Sequence, residues 1–337
     1  MRIFIFSAVL AAVFTQAAYS YDAPYGENLF LLGFPGLISN AASTSGSGLY
    51  DSGPYSININ PALTAPLQRV SADIGGTMLM RENKTGFSFL LGMLFPSRWG
   101  VWTILAQSAL IEPPFSPAGN MYSGRFGWSR DITEKLYAGA SVFAGVTTNY
   151  GEGYAAGLDL GFVYRMGNMG FLKDARFSAV FANIGQTFSN NIYSNLPGAF
   201  APKCGFAAVL FENKGFAAGF SVDASFPTLK NAVLNAGMEF SLMKKVTVSI
   251  GWDANLRELL DGVGIHNPFI GFGFKWTADT GASEIMMSQG WEKTDVDVSA
   301  LWQQINNDIH IFSAGVSAQF GSVDRDPPVI KLGDAET

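Results

Sequence analysis

Lys245 to Asp253 reads KVTVSIGWD. Val246, Val248, Ile250 and Trp252 fall on one side, and Thr247, Ser249, Gly251 and Asp253 on the other. That period of two is what a β-strand imposes, because successive side chains leave its plane in opposite directions. Leu234 to Leu242 repeats it, with Leu234, Ala236, Met238, Phe240 and Leu242 opposed to Asn235, Gly237, Glu239 and Ser241. Phe216 to Phe226 alternates with Gly219, Ser221, Asp223 and Ser225 on its polar side. Phe87, Phe89, Leu91, Met93 and Phe95 form another apolar row, and Leu158, Leu160, Phe162 and Tyr164 stand opposite Gly157, Asp159 and Gly161.

Carried along the chain, the pattern predicts fourteen strands. They start near Leu67, Gly86, Arg98, Met121, Lys135, Gly153, Lys173, Pro202, Gly215, Asn231, Lys245, Asn267, Thr294 and Asp308. Short turn signals separate many of them: RENKTG at 81–86, FPSRWG at 95–100, ENKG at 212–215 and MKK at 243–245. Longer connections at 111–120 and 186–202 are candidates for loops on one end. The stretch Ser283–Glu292 fits no strand well; as a strand extension or a further hairpin it leaves the count open by two. Gly75-Gly76-Thr77 is a candidate bulge, since glycine inside a strand marks such sites.

Composition decides what kind of β-protein this is. Charged residues make up 14% of the chain, against roughly 25% in soluble domains. Gly, at 38, and Phe, at 28, are heavily used. The first twenty residues, MRIFIFSAVLAAVFTQAAYS, have Arg2, an apolar core from Ile3 to Phe14, and small residues at Ala18 and Ser20. They read as a signal peptide cleaved between Ser20 and Tyr21, so the chain is exported. Beyond it, no stretch has the roughly 18 to 20 apolar residues of a membrane helix. An exported, apolar, alternating chain without such helices predicts the other structure that satisfies its backbone in lipid: an all-β, transmembrane antiparallel β-barrel. A large soluble β-protein is the alternative. The net charge of −6 is unremarkable, no basic run argues for nucleic acid as a partner, and the single Cys204 excludes an internal disulfide. Trp99, Trp102, Trp128, Trp252 and Trp276 suit the aromatic girdles of such a barrel.

Residues 22–66 do not alternate. They are rich in Gly, Ser, Asn and Pro, and contain Asn60-Pro61-Ala62 just before the first strand. Pro61 fixes its own φ and biases Asn60 to an extended conformation, and Asn60 can cap the following turn. The inward glycines Gly157, Gly161, Gly219 and Gly237 leave room for such a segment to fold back into the lumen.

This layout resembles the long-chain fatty-acid transporter (FadL) family and its PorV-type relatives, which have a signal peptide, an N-terminal hatch carrying Asn-Pro-Ala, and a fourteen-stranded barrel. ENKGFAAGFSVDASFP and NAGMEFSLMKKVTVSIGWD look like stretches of an uncharacterised spirochaetal (Treponema-type) group of that superfamily. The last strand, DIHIFSAGVSAQF, resembles the terminal signal read by the outer-membrane insertion machinery: Phe312, Ala314, Val316, Ala318 and Phe320 share one side, and Gly315 lies five positions before the final aromatic. Ala314 departs from the polar residue usual there.

The resemblance implies a division into signal peptide 1–20, hatch 21–66, barrel 67–320 and periplasmic tail 321–337. It implies a bacterial outer-membrane location, with membrane lipid, the insertion machinery and a hydrophobic, fatty-acid-like ligand as partners. The implied function is a hatch-gated channel for such molecules, with Asn60, Pro61 and Ala62 at the gate. An accessory barrel of a protein-secretion system, PorV-like, and a general porin are the alternatives.

Little else carries chemistry. Asp73, Asp159, Asp223, Glu239 and Asp253 project to the expected lumen, with Lys203 and Lys275 able to join them. They read as groups that solvate the interior or tie down the hatch; a cation-favouring path is the sharper reading. His266 and His310 form no metal spacing, and His310, grouped with Asp308, reads as a loop or lumen residue. AASTSGSG at 41–48 lacks the Lys and the setting of a phosphate loop. No nucleophile motif accompanies either histidine, so no enzyme, metal or cofactor is expected.

Overall fold

The computed structural model describes residues 29–38, 43–82, 84–111, 119–149, 153–189, 200–229, 231–256, 259, 267–279, 293–305 and 309–321. The expected signal peptide, His266, the stretch 283–292, the expected tail beyond Gly321 and most of both long connections lie outside these residues. Fourteen antiparallel strands form one closed barrel. They are β1 (Val70–Arg81), β2 (Lys84–Ser97), β3 (Gly100–Leu110), β4 (Gly119–Asp131), β5 (Leu136–Asn149), β6 (Gly153–Met169) and β7 (Leu172–Ser189). The second half comprises β8 (Ala201–Glu212), β9 (Phe216–Ser225), β10 (Val233–Leu242), β11 (Val246–Asn255), β12 (Asn267–Asp279), β13 (Lys293–Ile305) and β14 (Ile309–Phe320). Each strand pairs with its sequence neighbours, and β1 closes on β14 in a register running from Val70↔Phe320 to Met80↔His310.

Closure leaves no sheet edge, so every strand finds partners for its backbone on both sides. The strands are ten to eighteen residues long, enough to cross a bilayer at a tilt. Among the described residues no helix is long and apolar enough to cross a membrane; the crossing is made by strands. The outward row of β2, Phe87 through Phe95, is exposed together with Ile74, Ile104, Phe126, Val142, Phe162, Phe177, Phe272 and Phe312. That apolar exterior is the face a bilayer covers.

The chain enters and leaves the barrel at one end, here called the terminal end, where Val70 meets Phe320. The turns at 97–100, 131–136, 169–172, 212–216 and 242–246 lie at that end. β3 and β7 both end at the far end, so the chain enters its two long connections there, as the turn lengths predict. Tryptophans mark both ends of the outer face. Trp102 sits beside Trp128 near the terminal end, and Trp302 beside Phe312 near the far one.

Three expectations need correction. Gly75-Gly76-Thr77 is no bulge: β1 pairs without a break to both neighbours through these residues. The register shifts fall instead along β6–β7, β7–β8 and β8–β9. Gly75 is small for another reason: a Cβ there would meet the Phe34 ring at 2.6 Å. His310 is not a lumen residue. It shares the parity of Phe312, and its ring stacks on Trp302 with centroids 6.1 Å apart on the outer face. Gly157 accommodates a wall residue, since a Cβ there would meet the Phe143 ring.

Candidate functional site

Inside the barrel lies the N-terminal segment, whose backbone is mostly irregular. Short helical turns at Pro35–Ile38, Pro54–Asn58 and Pro61–Thr64 satisfy part of it. The remaining N–H and C=O groups need other partners once they leave water. Inward side chains of the wall supply them. Asp73 of β1 accepts the Tyr55 N–H at 2.8 Å and the Ser317 hydroxyl at 2.5 Å. Asp223 of β9 accepts the Thr44 N–H at 2.9 Å and a short bond from the Thr44 hydroxyl. Glu239 of β10 accepts the Leu49 N–H at 3.1 Å. Arg176 of β7, fully buried, donates to the carbonyls of Ser47 at 2.8 Å and Gly48 at 3.2 Å, with its guanidinium 4.5 Å from the Tyr50 ring centre. Gln107 of β3 donates to the Leu32 carbonyl and accepts from Asn58.

Asp159 belongs to a different device. Its carboxylate accepts the Asn183 N–H at 2.6 Å and pairs with Arg125, which also donates to Ser141 at 3.1 Å. Asn183 lies where β7 slips against β6, with φ at 58°. The buried ion pair therefore pins a wall irregularity. Asp253 lies on β11 opposite Asn235. Lys203 sits in the field of Asp223, and Lys275 lines a cavity described below.

Asn60, Pro61 and Ala62 pack on β4, β5 and β6 and are fully or nearly fully buried. Asn60 is extended, at φ −154° and ψ 113°, as a residue before proline should be. Its Oδ1 accepts the Ala62 N–H at 2.9 Å, capping the turn Pro61–Thr64. Its Nδ2 donates to the Thr44 carbonyl at 2.7 Å and reaches the Phe162 carbonyl at 3.4 Å. The wall is cut to fit. A Cβ on Gly161 would collide with the Asn60 amide, and one on Gly139 would lie 2.6 Å from the Pro61 carbonyl oxygen. Gly219 faces Gly48 backbone to backbone in the same way. Thr64 completes the seat by bonding Ser129 at 2.8 Å.

The lumen wall is uneven. Toward the far end, on the side of β1, β3 to β6 and β14, inward positions are apolar: Leu79, Ala109, Ile111, Met121, Phe143, Ala155 and Ile311 surround Phe30 of the segment, with Leu32, Ile38, Ile305 and Ile309 beside them, whereas β8 to β11 carry Lys203, Asp223, Asn235 and Asp253 at that end. Phe30 meets Phe143 edge-on at 4.9 Å between ring centres, and the Arg125 guanidinium lies 5.1 Å from the Phe30 ring centre. Toward the terminal end the segment leaves a polar cavity of about 100 Å³ against β10 to β14. Asp51, Glu239, Lys275, Asp295 and Asp297 line it, among Ser, Thr and Gly residues. Arg69 pairs with Asp295 at its rim.

Two tyrosines of the segment border these regions. Burial pushes the Tyr50 hydroxyl well above the ordinary tyrosine range, with Tyr137 adding to it. Burial does the same to Tyr55, reinforced by Asp51 and Asp73. Tyr55 stacks on Phe34 at 4.7 Å. No cluster of metal-binding side chains occurs among the described residues.

The structure thus brings Asp73, Asp223, Glu239 and the Asn60–Ala62 tripeptide together on one segment. Arg125, Arg176, Gln107 and Phe30 are additions. The first three have inward parity in strands whose mid-strand inward neighbours are uncharged, and that was their available signal.

No family model and no curated protein sequence matches this chain. Solved structures of similar layout include the CymD monoaromatic hydrocarbon channel, 10% identical over 88% of this chain and 99% of that one, with a TM-score of 0.49. A Pseudomonas aeruginosa FadL homologue is 9% identical over 86% and 98%, with a TM-score of 0.47. The Acinetobacter baumannii outer membrane protein Omp33 is 13% identical over 75% and 99%, with a TM-score of 0.44.

Proposed function

We propose that this protein is an outer-membrane channel for small hydrophobic molecules of the fatty-acid type, and that the segment 29–66 is its hatch. The observation that carries this reading is the apolar side of the inner wall at the far end, on β1, β3 to β6 and β14. The interior of a water-filled barrel is polar. Here Leu79, Ile111, Met121, Phe143 and Ile311 face inward and are covered by Phe30. A hydrophobic solute arriving from the far end would meet a surface of its own kind, and the side chain it displaces is carried on a segment held by polar bonds. A general porin fits less well, because the segment fills much of the space a porin leaves to water.

Binding of a fluorescent long-chain fatty acid to the purified, folded barrel tests the reading. Met121→Glu and Phe143→Ser place polar groups in the apolar wall without touching the strand ladder. Each should weaken binding by about tenfold or more, as expected when apolar burial of roughly 1.5–3 kcal/mol is lost. Unchanged binding in both variants, or no binding by the wild type, sinks it.

A further inference from the structure

Among the described residues, five hairpin turns lie at the terminal end, and their exposed residues share a chemistry the channel reading does not use. Arg98, Lys135, Lys173, Lys214, Lys244 and Lys245 are exposed there, against Glu134 and Glu212. Beside the cations stand large apolar side chains at or near turn tips: Trp99 is 62% exposed, Phe171 78% and Met243 76%. Arg98 lies over the Trp99 ring at 5.0 Å. The turn after β10 is also tied to its neighbours. The Met243 N–H donates to the Gly215 carbonyl of the turn before β9 at 2.8 Å, and the Lys245 carbonyl accepts from the Lys275 N–H of β12 at 2.7 Å.

The turn after β10 adds an independent point. The Lys245 N–H closes a tight turn on the Leu242 carbonyl at 3.0 Å. Both central residues are left-handed, Met243 at φ 53° and Lys244 at φ 57°. Such a turn favours Asn-Gly, and left-handed backbone is strained for other side chains. The chain instead holds an apolar residue and a cation there.

We propose that this rim is a grip on anionic phospholipid headgroups in the leaflet at the terminal end. Apolar tips enter the acyl boundary, and the cations reach the phosphates. Charge complementarity selects the occupant, since an apolar tip flanked by lysines matches an anionic interface better than a neutral one.

The full chain, reconstituted in vesicles of phosphatidylcholine with or without phosphatidylglycerol, tests this through its urea unfolding equilibrium. Phosphatidylglycerol should favour the folded barrel by about fivefold per engaged cation. Lys173→Gln, Lys244→Gln and Lys245→Gln combined should lose about a hundredfold of that gain, and high salt should erase it in the wild type. Met243→Asn with Lys244→Gly relieves the turn, so it should fold at least as well in phosphatidylcholine while gaining less from phosphatidylglycerol. In the wild type, quenching by brominated phosphatidylglycerol should exceed that in Trp99→Phe. The proposal is overturned if phosphatidylglycerol gives no gain, or if the triple variant keeps all of it. It is equally overturned if the rim cross-links to a periplasmic protein in cells while the lipid gain is absent, for then the rim is a protein-docking face.

Discussion

Asn60 does three things at once. It caps the turn at Pro61, holds the Thr44 carbonyl and reaches across to β6. Asn60→Ala leaves the Ala62 N–H and the Thr44 carbonyl without those partners in a site closed to water. Each buried group so orphaned costs about 1–3 kcal/mol, and the loss falls on seating of the segment, because the strand ladder begins after it. The variant should insert normally yet show faster proteolysis within 29–66 and altered passage of a hydrophobic probe. Gly161→Ala attacks the same contact from the wall and should give the same phenotype; if either variant fails to assemble instead, the tripeptide serves assembly rather than gating. Tyr55 makes a pH prediction. Its folded-state pKa is raised above the ordinary tyrosine value of 10.0 by burial and by neighbouring carboxylates. The unfolded side chain therefore loses its proton first as pH rises. The stabilisation is complete below pH 10.0 and drains away above it. In Tyr55→Phe the tyrosinate absorbance in strong base should be smaller by one late-titrating tyrosine, and the segment should resist protease to a higher pH than in the wild type.

At the scale of the strand, the Arg125–Asp159 pair locks the slip between β6 and β7. Asp159→Asn removes one partner of a buried ion pair and leaves Arg125 between the rings of Phe30 and Phe143. Breaking such a pair typically costs about 3–5 kcal/mol. A lower urea midpoint for the heat-modifiable band should report it, and an unchanged midpoint would show that Ser141 and solvent compensate. The strands themselves were legible because alternation is a local property. The predicted starts at Gly153 and Asn267 coincide with observed ones, and that at Leu67 lies three residues from Val70. Parity also placed Asp73, Asp223 and Glu239 on the inner wall. It could not tell height along the strand, so the inward apolar patch of Leu79, Met121 and Ile311 went unseen. Nor does a strand's own sequence say what third element it meets. Gly75 looked like a bulge because the ring of Phe34, forty-one positions earlier, is what its small size serves. The misplacement of His310 came from grouping it with Asp308 as a polar pair, when the alternation itself put it beside Phe312.

The whole molecule is a closed wall and a segment that the wall holds through polar side chains, through glycines cut to fit, and through two apolar contacts: Phe30 in the patch around Met121, and Ile57, Ile59 and Leu63 against Leu90, Leu105 and Val163. The two parts are separable on physical grounds. Closure rests on β1–β14 pairing along the length of both strands, and none of those bonds involves the segment. Deleting residues 29–66 would return Asp73, Asp223, Glu239 and Arg176 to water, where each is readily solvated. It would also expose the apolar patch around Met121 and the wall residues Leu90, Leu105 and Val163, which costs stability without breaking the ladder. The truncated barrel, with residues 1–28 retained, should therefore still reach the membrane and migrate as a heat-modifiable band, with a lower unfolding midpoint than the full chain. Its conductance in planar bilayers should rise severalfold, because the polar cavity against β10 to β14 would then join the emptied remainder of the lumen. Cations should carry most of that current, since Asp73, Asp223, Glu239 and Asp297 line the opened space and outnumber the inward Lys203, Lys275 and Arg176. A reversal potential in a salt gradient measures this directly. Failure of the deleted barrel to fold would mean that the segment is part of the barrel's core rather than its hatch, and anion preference would mean that the inward carboxylates do not control the opened lumen.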